Sequence, residues 1–138
     1  MPDIDLWPEE LGSATVTASP KSILQEQAQR LTDKTSRKLR GRVETRPSSQ
    51  GFSVTATRRY THSDFRHVFS ILVPALEDYE YELLAIYSNA AAIYPVYGEF
   101  NDEIKELVNE EQLVDWLRSA LSTSRAKQVV NSLLAQAA

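Results

Sequence analysis

With 138 residues, 42% apolar and 25% charged, the chain is long enough for one domain with a core of its own. It has no cysteine, which excludes a disulfide scaffold, a thiolate metal site and a cysteine nucleophile. No apolar run approaches the roughly 18 residues of a membrane span, and the acidic start MPDIDLWPEEL lacks the basic-then-apolar pattern of a secretory signal, so a cytoplasmic protein without membrane association is expected. The net charge of −4 hides a division: positions 21–67 hold eleven Lys and Arg against four Asp and Glu (+7), and the rest hold four against fifteen (−11). Such a division marks either a binding surface or two halves that pair in the fold.

Residues 1–18 read as an extended arm, with Trp7 and Leu11 as candidates to pin it to the body, and residues 19–138 as a single domain. Ser19 and Pro20 suit an N-cap and a first helical position. Ile23, Leu24, Ala28 and Leu31 then share one face, and the helix is expected to stop between 33 and 36. Residues 38–46 alternate, with Leu39, Gly41, Val43 and Thr45 on one side and Arg40, Arg42, Glu44 and Arg46 on the other. Turn chemistry at 47–51 leads to a second alternating run, 52–60, with Phe52, Val54 and Ala56 inward and Arg59 outward. The two runs predict a hairpin. The polar stretch 61–64 predicts a bend between two sheet segments.

Residues 65–98 are the richest in tyrosine and β-branched side chains, which suit a pleated surface. They predict a strand over 65–76 with Pro74 near its end, a turn at Glu77-Asp78, and a strand over 79–87. In that strand Tyr79, Tyr81, Leu83 and Ala85 alternate with Glu80 and Glu82. A turn at Ser88-Asn89 then leads to a strand over 91–97. Residues 103–108 read as a short strand or a single turn. Asn109 with Gln112 resembles a capping box that opens a helix bearing Leu113, Leu117, Ala120 and Leu121. Ser122-Thr123-Ser124 separates it from a last helix bearing Ala126, Val129, Val130, Leu133 and Leu134. Strands run together and helices run together, so the fold class is α+β: an N-terminal helix, an antiparallel meander of four to six strands, and two C-terminal helices on one face.

Few residues suggest chemistry. His62, Asp64 and His67 form the one His/Asp grouping, but positions 62 and 67 face apart on a continuous strand. Glu80 and Glu82 share a face, as paired carboxylates do in a hydrolase, and also as solvated glutamates do. No phosphate-binding loop occurs. No catalytic residue, metal ligand or cofactor is therefore assigned. The stronger signal is the basic face of Arg40, Arg42, Arg46 and Arg59, a candidate partner-binding surface. Its outward positions carry Thr and Arg and lack the stacking aromatics of an RNA-binding sheet.

The stretches SPKSILQEQAQRLTDKT, VPALEDYEYELLAIYS and IYPVYG resemble segments of small uncharacterised bacterial proteins. The resemblance implies a helix–sheet–helix domain and no activity. The expected function is a non-enzymatic binding module acting through its surface on another protein, immunity- or antitoxin-like. A nucleic-acid-binding protein using the basic hairpin is the alternative, and an enzyme built on His62, Asp64 and His67 the third reading.

Overall fold

The computed structural model describes residues 4–9, 18–54 and 59–138, with the side chains of 53, 54 and 59–61 outside that description. Helix α1 (Pro20–Lys34) starts where the sequence predicts, with Ser19 Oγ accepting from Ser22 N at 3.1 Å. Seven strands follow: β1 (Arg40–Pro47), β2 (Gly51–Val54), β3 (Arg59–His62), β4 (Phe65–Val73), β5 (Tyr79–Ser88), β6 (Val96–Phe100) and β7 (Glu103–Leu107). Helices α2 (Glu110–Leu121) and α3 (Ser124–Gln136) close the chain. The fold is α+β, with a five-stranded antiparallel sheet in the order β1-β4-β5-β6-β7 and a separate two-stranded sheet, β2-β3.

The helices cover one face of the five-stranded sheet. A Cβ on Gly41 would collide with the Ala28 backbone of α1, and one on Gly98 would stand 2.6 Å from the Trp116 ring of α2, so both helices lie against the sheet at glycines. Between sheet and helices lies one core containing Leu24, Phe69, Ile71, Ile86, Leu113 and Leu117. Ile71 and Leu117 are fully buried, and Leu83 packs against them half-buried.

Three expectations need correction. The run 52–60 is not one strand paired with β1: β1 pairs with β4, from Arg40↔Leu72 to Pro47↔Phe65, while β2 pairs with β3 from Gly51↔His62 to Val54↔Arg59. The predicted bend is where one long ribbon turns a corner, held by Ser48 N to Asp64 O, Ser63 N to Gln50 O and the Ser48–Ser63 hydroxyl contact at 2.7 Å. Next, β5 carries a bulge opposite Phe69, where pairing steps from Leu84 to Glu82. An extra residue shifts side-chain parity by one. Leu84 and Ile86 therefore enter the core, and Ala85 goes to the other face with Glu80 and Glu82. Last, the strand expected over 91–97 forms at Val96–Phe100, so only Ala85, Ile86 and Tyr87 of β5 pair with it. Of the side chains expected to anchor the arm or face inward, Trp7 is 74% exposed, Leu11 and Ala56 lie outside the described residues, and so does the side chain of Val54.

Candidate functional site

The second face of the sheet carries no helix among the described residues, and the registers place its side chains. On β1 they are Arg40, Arg42, Glu44 and Arg46. Beside them on β4 are Leu72, Ser70, Val68 and Arg66, then Glu80, Glu82, Ala85 and Tyr87 on β5, and Tyr97 and Glu99 on β6. Ser70 and Val68 are short, so the long arginines of β1 reach across β4 to the glutamates of β5. Arg46 Nη1 lies 3.1 Å from Glu82 Oε1, and Arg42 Nη1 lies 3.8 Å from Glu80 Oε2. Glu44 sits between both arginines, 3.3 Å from Arg46 and 3.8 Å from Arg42. Arg66 extends the lattice to Glu99 at 3.3 Å and Glu82 at 3.9 Å.

The lattice roofs the strands beneath it. Val68, Ser70 and Ala85 are 0%, 0% and 1% exposed on a face that no helix covers. The aliphatic stems of Arg and Glu do the covering while most of their charged heads reach the surface. Electrostatics follow from the pairing. The hydrogen bond and charge of Arg46 hold the Glu44 carboxyl below its ordinary range. Burial works against the charge of Arg66, but its hydrogen bonds to Tyr87 and Glu99 outweigh that and raise its pKa. Ser70 Oγ and Glu80 Oε1 are buried with no hydrogen-bond partner among the described residues.

At one end the ribbon corner folds β2 back over this face. The Phe52 ring stacks on Tyr97, centroids 4.4 Å apart and planes 8° apart, and meets Tyr87 edge-on at 5.0 Å. Arg66 lies 5.8 Å over the Tyr87 ring and donates from Nε to its hydroxyl at 3.1 Å. The Tyr97 hydroxyl is buried, close enough to Glu106 to feel its charge but not in well-formed hydrogen-bond geometry; burial first, then that carboxylate, raises its pKa. Where β6 ends and β5 runs on, a depression of about 210 Å³ opens beside Arg66, Glu82, Glu99 and Asp102.

Of the four arginines singled out in the sequence, the structure brings Arg42 and Arg46 into the lattice. Arg40 shares their face, is exposed, and makes no ion pair among the described residues. The side chain of Arg59 lies outside the described residues. Sequence reasoning missed Arg66, Tyr87, Tyr97 and Glu99. The parity of Arg66 with Val68 and Ser70 was readable, but the register that aligns them with β5 was not. Aromatic side chains do lie on this face, though buried under Phe52 and so closed to a stacking base.

The His/Asp grouping comes apart. His67 points to the helix side, buried, with Nδ1 2.9 Å from Thr45 Oγ1 and Nε2 2.9 Å from Ser88 Oγ. Asp64 instead accepts from Ala90 N at 2.8 Å, and His62 is exposed. Among the described residues no three His, Asp or Glu side chains gather as a metal site, and no helix is long and apolar enough to cross a membrane. Glu80 and Glu82, the one carboxylate pair on a shared strand face, are both engaged by arginine. No family model, curated protein or solved structure matches the chain.

Proposed function

We propose that the chain is a non-enzymatic binding module that engages another protein through the uncovered face of its sheet. The observation that carries this reading is the lattice of Arg42, Arg46 and Arg66 with Glu44, Glu80, Glu82 and Glu99, together with the two buried polar atoms it leaves unpartnered, Ser70 Oγ and Glu80 Oε1. A surface of interspersed sign suits a protein partner that is itself mixed in charge. It suits a phosphate backbone poorly, since the carboxylates within 4 Å of these arginines repel phosphate. An immunity- or antitoxin-like role in a bacterial cytoplasm is the specific form this reading takes. It draws on the resemblance to small bacterial proteins and on the acidic balance of −4.

The test is capture of a partner from a bacterial lysate, followed by direct titration of the captured protein. Arg46→Ala and Glu82→Ala are expected to weaken its affinity at least about tenfold, as loss of paired interface charges does. Arg118→Ala, on α2 across the sheet, is expected to change nothing. Equal affinity in all three variants, or capture abolished by ribonuclease, refutes the proposal.

A further inference from the structure

On the helix side, α1 packs against β1 and β4, while α2 lies over β6 and β7. A cleft runs between α1 and the α2–α3 pair. One part, about 500 Å³, is walled by Ile23 and Lys34 of α1 and by Val114, Leu117 and Arg118 of α2. A second part, about 220 Å³, reaches the sheet at Phe69, Ile71 and Leu83 and has Arg30 on its rim. Gln27, Lys34 and Leu121 line both, so the two parts adjoin. The floor is apolar and the charged side chains lining it are basic. Lys34 makes no ion pair among the described residues, and the Arg30–Glu26 and Arg118–Asp115 pairs are more than 60% exposed, the kind that exchanges partners at little cost.

The same chain holds three large apolar side chains in water: Ile4, Leu6 and Trp7, 66%, 87% and 74% exposed. They sit in an arm with four acidic residues, Asp3, Asp5, Glu9 and Glu10, and no basic one before Lys21. Asp5 Oδ1 accepts from Trp7 N at 3.0 Å, which bends the backbone locally at the apolar residues. We propose that segment 4–9 docks into the cleft of its own chain, with Leu6 and Trp7 over the apolar floor and Asp5 and Glu9 toward Lys34 and Arg118. Three observations select this occupant. Its charge is opposite to the rim, it supplies apolar side chains to cover the apolar floor, and it reaches. Thirteen residue steps lead from Trp7 to Pro20 and span up to about 43–47 Å, whereas the 15-residue α1 is about 22 Å long. Tethering holds the segment at an effective concentration on the order of millimolar, so modest intrinsic affinity suffices. The cleft is across the sheet from the Arg/Glu lattice, so this docking and the proposed partner site are independent.

The full chain labelled with 5-fluorotryptophan gives two ¹⁹F resonances, from Trp7 and Trp116, distinguished by the Trp7→Phe variant. The Trp7 resonance is expected away from the position of free fluorotryptophan, with a reduced solvent isotope shift, and unchanged on dilution. Lys34→Glu, at an exposed position, and Val114→Glu, in the cleft wall, are each expected to return it toward the free position while the Trp116 resonance reports an intact fold. A wild-type Trp7 resonance at the free position overturns the proposal. So does burial that disappears on dilution, which places the arm on a second copy, and so does a resonance that Lys34→Glu leaves unmoved in a folded chain.

Discussion

His67 is the buried titratable group whose protonation the fold opposes most plainly. A neutral imidazole donates from one ring nitrogen and accepts at the other, which matches one hydroxyl on each side, Thr45 and Ser88. Imidazolium needs both hydroxyls to accept, in a site closed to water. Burial first, then the charge of Lys21, lowers its pKa. A group with a depressed folded pKa contributes stability that is fully present above its unfolded value, about 6.5, and is lost as pH falls through the folded value. Urea midpoints of the wild-type chain should therefore fall between pH 6.5 and pH 5 by more than those of His67→Gln, with a slope of at most about 1.4 kcal/mol per pH unit. Parallel profiles would show that His67 titrates alike in both states. Gly41 makes a second prediction at this scale. Its N–H donates to Thr32 Oγ1 at 3.0 Å, and the Ala28 backbone occupies the place of a side chain. A helix backbone cannot give way as a side chain can, so Gly41→Ala must lift α1 from β1, at about 1–3 kcal/mol. A shifted urea midpoint with an unchanged slope would bear that out.

Elements were legible where a local rule decides them. Ser19, Asn109 and Thr123 each accept from the backbone N–H three residues on, at 3.1, 2.8 and 3.1 Å; Ser19 and Asn109 sit where the capping pattern put them, and Thr123 caps α3 from within a run read only as a helix break. Gln112 returns the bond, accepting from Val108 N at 3.0 Å, which explains why the helical period breaks at Asn109 and lets β7 end there. Asn109→Ala should cost about 0.5–2 kcal/mol of unfolding free energy. An unchanged thermal midpoint would mean that the helix start is held by packing alone. Elements were illegible where pairing decides them. The β5 bulge puts Leu83 and Leu84 side by side, and two leucines carry no mark of which one is the extra residue. The ribbon corner divides 52–60 because β1 passes beyond it to β4, a choice set by distant apolar partners such as Val43↔Phe69. The turns show the same limit. Glu77 and Asp78 both take positive φ, 57° and 59°, as do Asn101 and Asp102, the backbone of tight hairpin turns that favours glycine or asparagine. Left-handed backbone costs an ordinary L-residue roughly 1–2 kcal/mol, and glycine gives back about 0.5–1 kcal/mol in entropy. Glu77→Gly should therefore stabilise the chain by on the order of 0.5–1 kcal/mol, read as a higher urea midpoint.

At the scale of the molecule, the charge division seen in the sequence becomes contact. The basic segment 21–67 supplies Arg42, Arg46 and Arg66, and the acidic remainder supplies Glu80, Glu82 and Glu99. The division was legible from composition; that its two halves meet across a strand of short side chains was not, because register is a long-range property. Whether the basic face is open to a polyanion then depends on those carboxylates. With Glu44, Glu80 and Glu82 in place, a phosphate approaching Arg42 or Arg46 must displace a carboxylate already within 4 Å. Wild-type affinity for a single-stranded RNA should accordingly be weak, and an Arg40/Arg42/Arg46→Ala triple variant should leave it nearly unchanged. Replacing Glu44, Glu80 and Glu82 by Gln keeps side-chain volume and removes the competing charge. That variant should gain RNA binding that weakens with salt, with a logarithmic slope near −2 if three arginines each take one phosphate at about −0.7 per contact. Circular dichroism at each salt concentration checks that the variant stays folded. Tight, salt-steep RNA binding by the wild-type chain, lost in the arginine triple variant, would show that the carboxylates do not close the face. The sheet would then be a nucleic-acid surface in its native state.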